Sequence, residues 1–146
     1  MNLSERLNED MKQAMKSKDK FKLSNIRMVR STIKNLEIDL KRSLDDNEVL
    51  DIISREIKQR KDALQEFEKA GRHDLAENAN AEIELLSAYL PEQLSEEEIK
   101  VIVQQTIQET GASSKADMGK VMSALMPKVK GRADGKLVNQ VVQQFL

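Results

Sequence analysis

Residues 19–44 read DKFKLSNIRMVRSTIKNLEIDLKRSL. Within them Ile26, Val29, Ile33, Leu36 and Leu40 recur at alternating steps of three and four, which lines apolar side chains along one side of an α-helix. The stretch predicts a long helix opening near Asp19, running to about Leu44 and carrying a heptad-like seam to bury. The same signature continues on both sides. Leu3, Leu7, Met11 and Met15 follow Asn2 and Glu5, which are spaced for a capping box, and predict a first helix ending near Ser17. Asp45-Asp46-Asn47-Glu48 opens a third helix with acids that suit a helix N-terminus. That helix carries Leu50, Ile53, Ile57, Leu64 and Phe67 and stops at Ala70-Gly71. A fourth places Leu75, Ala79, Ile83, Leu86 and Leu90 on one face and ends at Pro91, because proline disfavours helical geometry in the residue before it.

Pro91 to Leu94 read as a short linker, after which Ser95 and Glu98 form a second clear capping box. The helix they open offers Ile99, Ile102, Val103 and Ile107 and ends at Thr110-Gly111. The next puts Met118, Met122, Leu125 and Val129 along one stripe, with Pro127 expected to disturb its end. Gly131 to Gly135 form a turn, Asp134 is a candidate N-cap, and a last helix carries Leu137, Val138, Val141, Val142 and Phe145. The expected fold is all-α: a four-helix unit of long antiparallel helices over residues 1–94, then a small three-helix tail domain over residues 95–146. Seams of this kind also serve coiled coils, but short loops favour packing within the chain, and Arg60 interrupts the third seam where an apolar residue is expected.

Composition agrees with helices: charged residues make up 34% and aromatics 3%, and only five glycines and two prolines interrupt 146 residues. The absence of cysteine excludes disulfides, thiolate metal sites and cysteine nucleophiles. It suits a reducing cytosol, and Met1 to Lys20 lacks the apolar run of a signal peptide, so the expected location is cytoplasmic, with no membrane segment. No cofactor and no metal are expected. His73, the one histidine, sits beside Asp74 at a helix start and has no second ligand at helical spacing. Glu82 and Glu84 point to different faces, and Glu96 to Glu98 are explained by capping. Neither a GxGxxG run nor a phosphate loop is present.

Charge is segmental under an overall −1: residues 1–44 carry eleven Lys/Arg against six Asp/Glu, and residues 45–94 carry six against thirteen. Two basic features stand out. Arg27, Arg30, Lys34 and Lys41 fall within about 60° of one another on the second helix at ~100° per residue. They either pair with acids on the third and fourth helices or form an exposed face for an anionic partner. The face has no interleaved aromatics, which favours phosphates of a folded RNA over stacking on unpaired bases. The tail carries Lys115, Lys120, Lys128, Lys130, Arg132 and Lys136 against Asp117 and Asp134 over residues 111–146. Its Gly131 allows close backbone approach, and the loop leads into a helix N-terminus, a plausible phosphate contact.

Tyr89-Leu90-Pro91 with Gln93-Leu94, then Asp117-Met118-Gly119-Lys120-Val121-Met122 and Lys130-Gly131-Arg132-Ala133-Asp134-Gly135-Lys136-Leu137-Val138, resemble the GatB/YqeY family. Ala14-Met15-Lys16, Leu23-Ser24, Ile26-Arg27-Met28, Lys58-Gln59-Arg60 and Ala70-Gly71-Arg72 agree with small free-standing YqeY-like proteins, so the resemblance covers essentially the whole chain. In the larger relatives, the B subunits of tRNA-dependent amidotransferases, a similar pair of helical modules follows a separate catalytic domain, and the tail is associated with holding tRNA. The resemblance thus implies tRNA or structured-RNA contact by Lys120, Lys128, Lys130, Arg132 and Lys136. It implies no catalytic residue: a carbon-nitrogen ligase label with glutamine as amide donor would belong to the other domain. The leading expectation is a non-catalytic RNA-binding module. The alternatives are an adaptor for an amidotransferase, an aminoacyl-tRNA synthetase or a ribosome-associated protein, and an accessory to the amidotransferase reaction. Met118, Met122 and Met126 favour the adaptor slightly.

Overall fold

The computed structural model describes all residues from Met1 to Leu146, and every regular element in it is helical. The chain divides into two compact units, Met1–Leu90 and Pro91–Leu146. The first holds α1 (Leu3–Lys16), α2 (Lys20–Leu40), α3 (Asp46–Lys69) and α4 (His73–Ser87). The second holds α5 (Glu96–Thr110), a single 3-10 turn (Lys115–Asp117), α6 (Met118–Val129) and α7 (Gly135–Phe145).

Three helices begin with reciprocal capping boxes: Asn2 with Glu5, Asp45 with Glu48, and Ser95 with Glu98. Each satisfies backbone donors that the first turn leaves without a partner, worth about 1 kcal/mol per cap. Arg42 adds a bidentate pair with Glu48 at 2.7 and 2.8 Å. Its hydrogen bond is the largest influence lowering the Glu48 carboxyl, to about 2.

In the first unit α1 packs on α2, and α3 packs on α4. Leu7, Ile26, Val29, Val49, Ile53 and Leu86 are fully buried at the centre. Each such side chain contributes about 1.5–3 kcal/mol by leaving water. The α1 seam departs from its expected course, since Ala14 is buried and Met15 is 51% exposed. Steps of four advance about 40° each around a 3.6-residue turn, so the stripe drifts off the core after three of them. The second helix is also shorter than expected. It stops at Leu40, and Lys41 takes a left-handed conformation at φ 56° as its cap. Leu44 still reaches the core, from the following loop. α4 ends at Ser87 instead of Leu90, and tight turns from Leu86 to Tyr89 and Ser87 to Leu90 lead to Pro91.

The interruption of the third seam has a partner. Arg60 is 9% exposed, and its Nε donates to Glu82 Oε2 at 2.5 Å while its Nη1 donates to Glu56 Oε2 at 2.6 Å. Burial opposes its charge, but these two carboxylates more than offset that and raise its pKa. Arg60 therefore links α3 to α4, and Glu82, which the sequence reading set aside, is half of the link. A second clasp joins the ends of the unit: Tyr89 Oη donates to Asp10 Oδ2 at 2.5 Å, and the Arg6 guanidinium lies 4.6 Å above the Tyr89 ring.

The second unit is built around Ile99, Val103, Val121, Leu125, Val129, Val138, Val141 and Val142. The stripe on α6 is Val121, Leu125 and Val129, with Met118 and Met122 half-buried beside it. Pro127 sits inside the last turn of α6 and the helix runs on to Val129. Residues 91–94 are not a free spacer. Leu94 packs on this core and its N–H donates to the Arg132 carbonyl at 2.8 Å.

Candidate nucleic-acid interface

The basic positions fall into two groups, one in each unit. On α2, the side chains of Arg27 and Lys34 are exposed and Arg30 is half-buried. The Arg30 guanidinium is held by Met11, with Nη1 at 2.9 Å from Sδ. None of the three forms an ion pair. Five acids of α3 and α4 are engaged with other cations, Glu48 with Arg42, Glu56 and Glu82 with Arg60, Glu66 with Lys69 and Asp74 with Arg72. Arg27 and Lys34 thus lie exposed and outside ion pairs, while Arg30 is half-buried against Met11. They line one side of a groove of about 490 Å³ between α1 and α2. Lys41 is separate from them, because the left-handed cap ends the helix one residue earlier.

The tail group is more divided. Lys128 Nζ donates to Glu109 Oε2 at 2.7 Å and to Thr106 Oγ1 at 3.0 Å, tying α6 to α5. Arg132 Nε donates to the Glu92 carbonyl at 3.3 Å, and the Gly131 carbonyl accepts from Gln93 Nε2 at 2.8 Å. The loop around Gly131, which has φ +74°, is thereby closed against residues 92–94. The helix end expected to receive a phosphate is also occupied: Asp134 caps α7, accepting the Lys136 N–H at 3.0 Å. A carboxylate there uses the backbone donor and cancels the favourable end of the helix dipole. The side chains of Lys120, Lys130 and Lys136 are exposed. Asp117, at the start of α6, has a lowered pKa through the Ser113 N–H first and the nearby Lys120 charge last.

His73 is exposed on the first turn of α4. No three His, Cys, Asp or Glu side chains come together as a metal-holding group. No helix is long and apolar enough to cross a membrane.

Comparison with known proteins gives the chain's kinship. The family described as Yqey-like protein matches residues 4–146. A protein of Pyrenophora tritici-repentis named altered inheritance of mitochondria protein 41, mitochondrial, is 33% identical over 144 residues, which is 97% of this chain and 79% of that protein. The protein of the same name in Kluyveromyces lactis is 45% identical over 84 residues, covering 57% of this chain and 45% of its own length. That of Saccharomyces cerevisiae strain YJM789 is 40% identical over 85 residues, 58% of this chain and 46% of its own length. The matched stretch thus spans less than half of each of these two yeast proteins. These names correct the cytoplasmic expectation, since every one of the three is a mitochondrial protein. Absence of cysteine suits any reducing compartment and does not single out the cytosol.

Proposed function

This chain belongs to the YqeY-like protein family, and we propose that it is a non-catalytic module that binds tRNA or another structured RNA through its phosphates. The observation that carries this reading is the trio Arg27, Arg30 and Lys34, cations outside any ion pair on one side of a groove, in a unit where Arg42 and Arg60 are paired with carboxylates. Unpaired cations release counterions when they meet phosphates, and that release drives association. Lys120 and Lys136 supply a second contact from the tail. Lys128, Arg132 and Gly131 support it by holding the loop in shape. The relatives' names favour a mitochondrial location for this chain.

The test uses two charge-reversal pairs at exposed positions, Arg27→Glu with Lys34→Glu, and Lys120→Glu with Lys136→Glu. Each pair is expected to weaken tRNA binding and to flatten the salt dependence by about one unit per lost contact, with helicity unchanged. Unchanged tRNA binding in both would remove these cations from the interface.

A second reading, a protein adaptor, is favoured by apolar side chains on the second unit. Val101 is 53% exposed, and Met126 and Phe145 are each 39% exposed. Substituting Val101 and Phe145 with serine is expected to leave tRNA binding intact and to abolish any complex that depends on an apolar partner.

A further inference from the structure

Arg60 is the one charged residue that is buried, and its guanidinium nitrogens are unequally served. Nε donates to Glu82 Oε2, and Nη1 donates to the Glu56 carboxylate and carbonyl. Nη2 donates across to α2, to the thioether of Met28, at 3.3 Å from Sδ. A thioether is a weak acceptor, so one nitrogen of a buried cation ends on the poorest acceptor of the set. Met28 itself is 48% exposed. Its side chain therefore joins the buried guanidinium on one side to solvent on the other.

We propose that Met28 is a site of reversible oxidation, taking one oxygen from hydrogen peroxide, and that Arg60 receives the resulting sulfoxide oxygen. The sulfur lone pair attacks one peroxide oxygen, and an S–O bond forms as the O–O bond breaks. The sulfur-bound oxygen then passes its proton to the departing hydroxide, giving the sulfoxide and water. Sulfur loses two electrons and the peroxide gains them. Such oxidation ordinarily loosens a core, because it makes an apolar side chain polar. At Met28 the sign is opposite. The new oxygen meets a guanidinium donor and solvent, and hydrogen bonds to charged groups are about twice as strong as neutral ones. The oxidised form ties α2 to α3 more tightly than the reduced one. The other exposed methionines lack this geometry, since Met1, Met15 and Met126 accept no hydrogen bond from an arginine. Met11 accepts one from Arg30 but is half-buried, which limits access of peroxide. The inference is independent of the RNA-binding reading.

The experiment treats the full chain with hydrogen peroxide, locates the oxidised methionines by peptide mass spectrometry and follows urea unfolding before and after, in wild type, Met28→Leu and Met28→Gln. The glutamine amide oxygen stands as many bonds from Cα as the sulfoxide oxygen, so Met28→Gln supplies the acceptor without the oxidation. Met28 is expected to gain one oxygen before the half-buried Met11, Met118 and Met122 do. Peroxide should shift the folded-to-unfolded ratio about threefold to tenfold more favourably in wild type than in Met28→Leu, and a thiol-dependent methionine sulfoxide reductase should reverse the shift. Untreated Met28→Gln should exceed untreated Met28→Leu by a similar factor. In Arg60→Met with Glu56→Gln and Glu82→Gln, where the receiving guanidinium is gone, the gain on oxidation should disappear. Met28 oxidising no faster than Met11 would overturn the proposal. So would oxidation of Met28 that leaves wild type no more stable relative to Met28→Leu, or a gain that persists without Arg60.

Discussion

Replacing Arg60 with alanine removes the cation shared by Glu56 and Glu82 and leaves both carboxylates in place. Their side chains are 15% and 21% exposed, so water reaches them only in part. Deleting one partner of a fully buried pair costs about 3–5 kcal/mol, most of it the penalty for the charge left behind. Partial exposure of these two acids lowers the expected cost to about 2–4 kcal/mol. The Arg60 stem also leaves a void at the α3–α4 contact, and its hydrogen bond to the Glu56 carbonyl at 3.0 Å is lost. For a unit the size of Met1–Leu90, each kcal/mol corresponds to about 4–8 °C in Tm. Urea unfolding followed by far-ultraviolet circular dichroism reads the change directly. A triple variant, Arg60→Met with Glu56→Gln and Glu82→Gln, should recover most of the loss, because neutral amides no longer need the cation. A loss below about 1 kcal/mol in Arg60→Ala would refute the reasoning and class the pair with exposed ion pairs.

Three further outcomes follow from the local chemistry. Tyr89 is the one tyrosine. Burial first, and the Asp10 hydrogen bond second, push its pKa well above the usual value of 10.0. Alkaline titration of phenolate absorbance should show no ionisation near that value in the folded protein. Because the folded-state pKa is raised, this contribution to stability is complete below pH 10 and declines above it; ionisation at the ordinary value with the fold intact would contradict the clasp. For Glu48 the sign is reversed. Its carboxyl falls from 4.5 to about 2, so its contribution is present above 4.5 and is lost as pH falls towards 2. The difference in Tm between wild type and Glu48→Gln should shrink over that interval, and a constant difference would remove the ionised pair from the account. Gly111 caps α5 at φ +67° with open space around it, so Gly111→Ala should cost about 1–2 kcal/mol from backbone strain alone. Urea unfolding with no measurable loss would show that the cap relaxes.

The parts of the fold legible in the sequence are those set by neighbours a few residues apart. Asn2 with Glu5, Asp45 with Glu48 and Ser95 with Glu98 announce helix starts through side chains that reach only three residues. Gly71 and Gly111 announce ends because glycine adopts positive φ without strain. The end of α2 had no such mark, since a lysine takes the left-handed cap and Leu44 continues the apolar pattern from a loop. Long-range pairing was the least legible. Arg60 is visible as a break in a seam, but Glu82 lies 22 residues away on another helix. Lys128 looked like a phosphate contact until α5 brought Glu109 to it from 19 residues away. Helical spacing put Arg27, Arg30 and Lys34 on one face, where they line one groove, but it also included Lys41, which lies beyond the helix end. Their freedom from carboxylates depends on where every acid of α3 and α4 goes, and periodicity carries no information about that.

The most direct measurement on the central claim is equilibrium binding of the full chain to bulk tRNA across a salt series, with an unstructured RNA of equal length in parallel. Contact by Arg27, Arg30 and Lys34 together with the exposed tail lysines predicts saturable binding that prefers tRNA. The affinity should fall with salt at a slope equivalent to about three to five phosphate contacts. No binding at low salt, where the attraction between lysine or arginine and phosphate is strongest, would contradict RNA recognition by this chain.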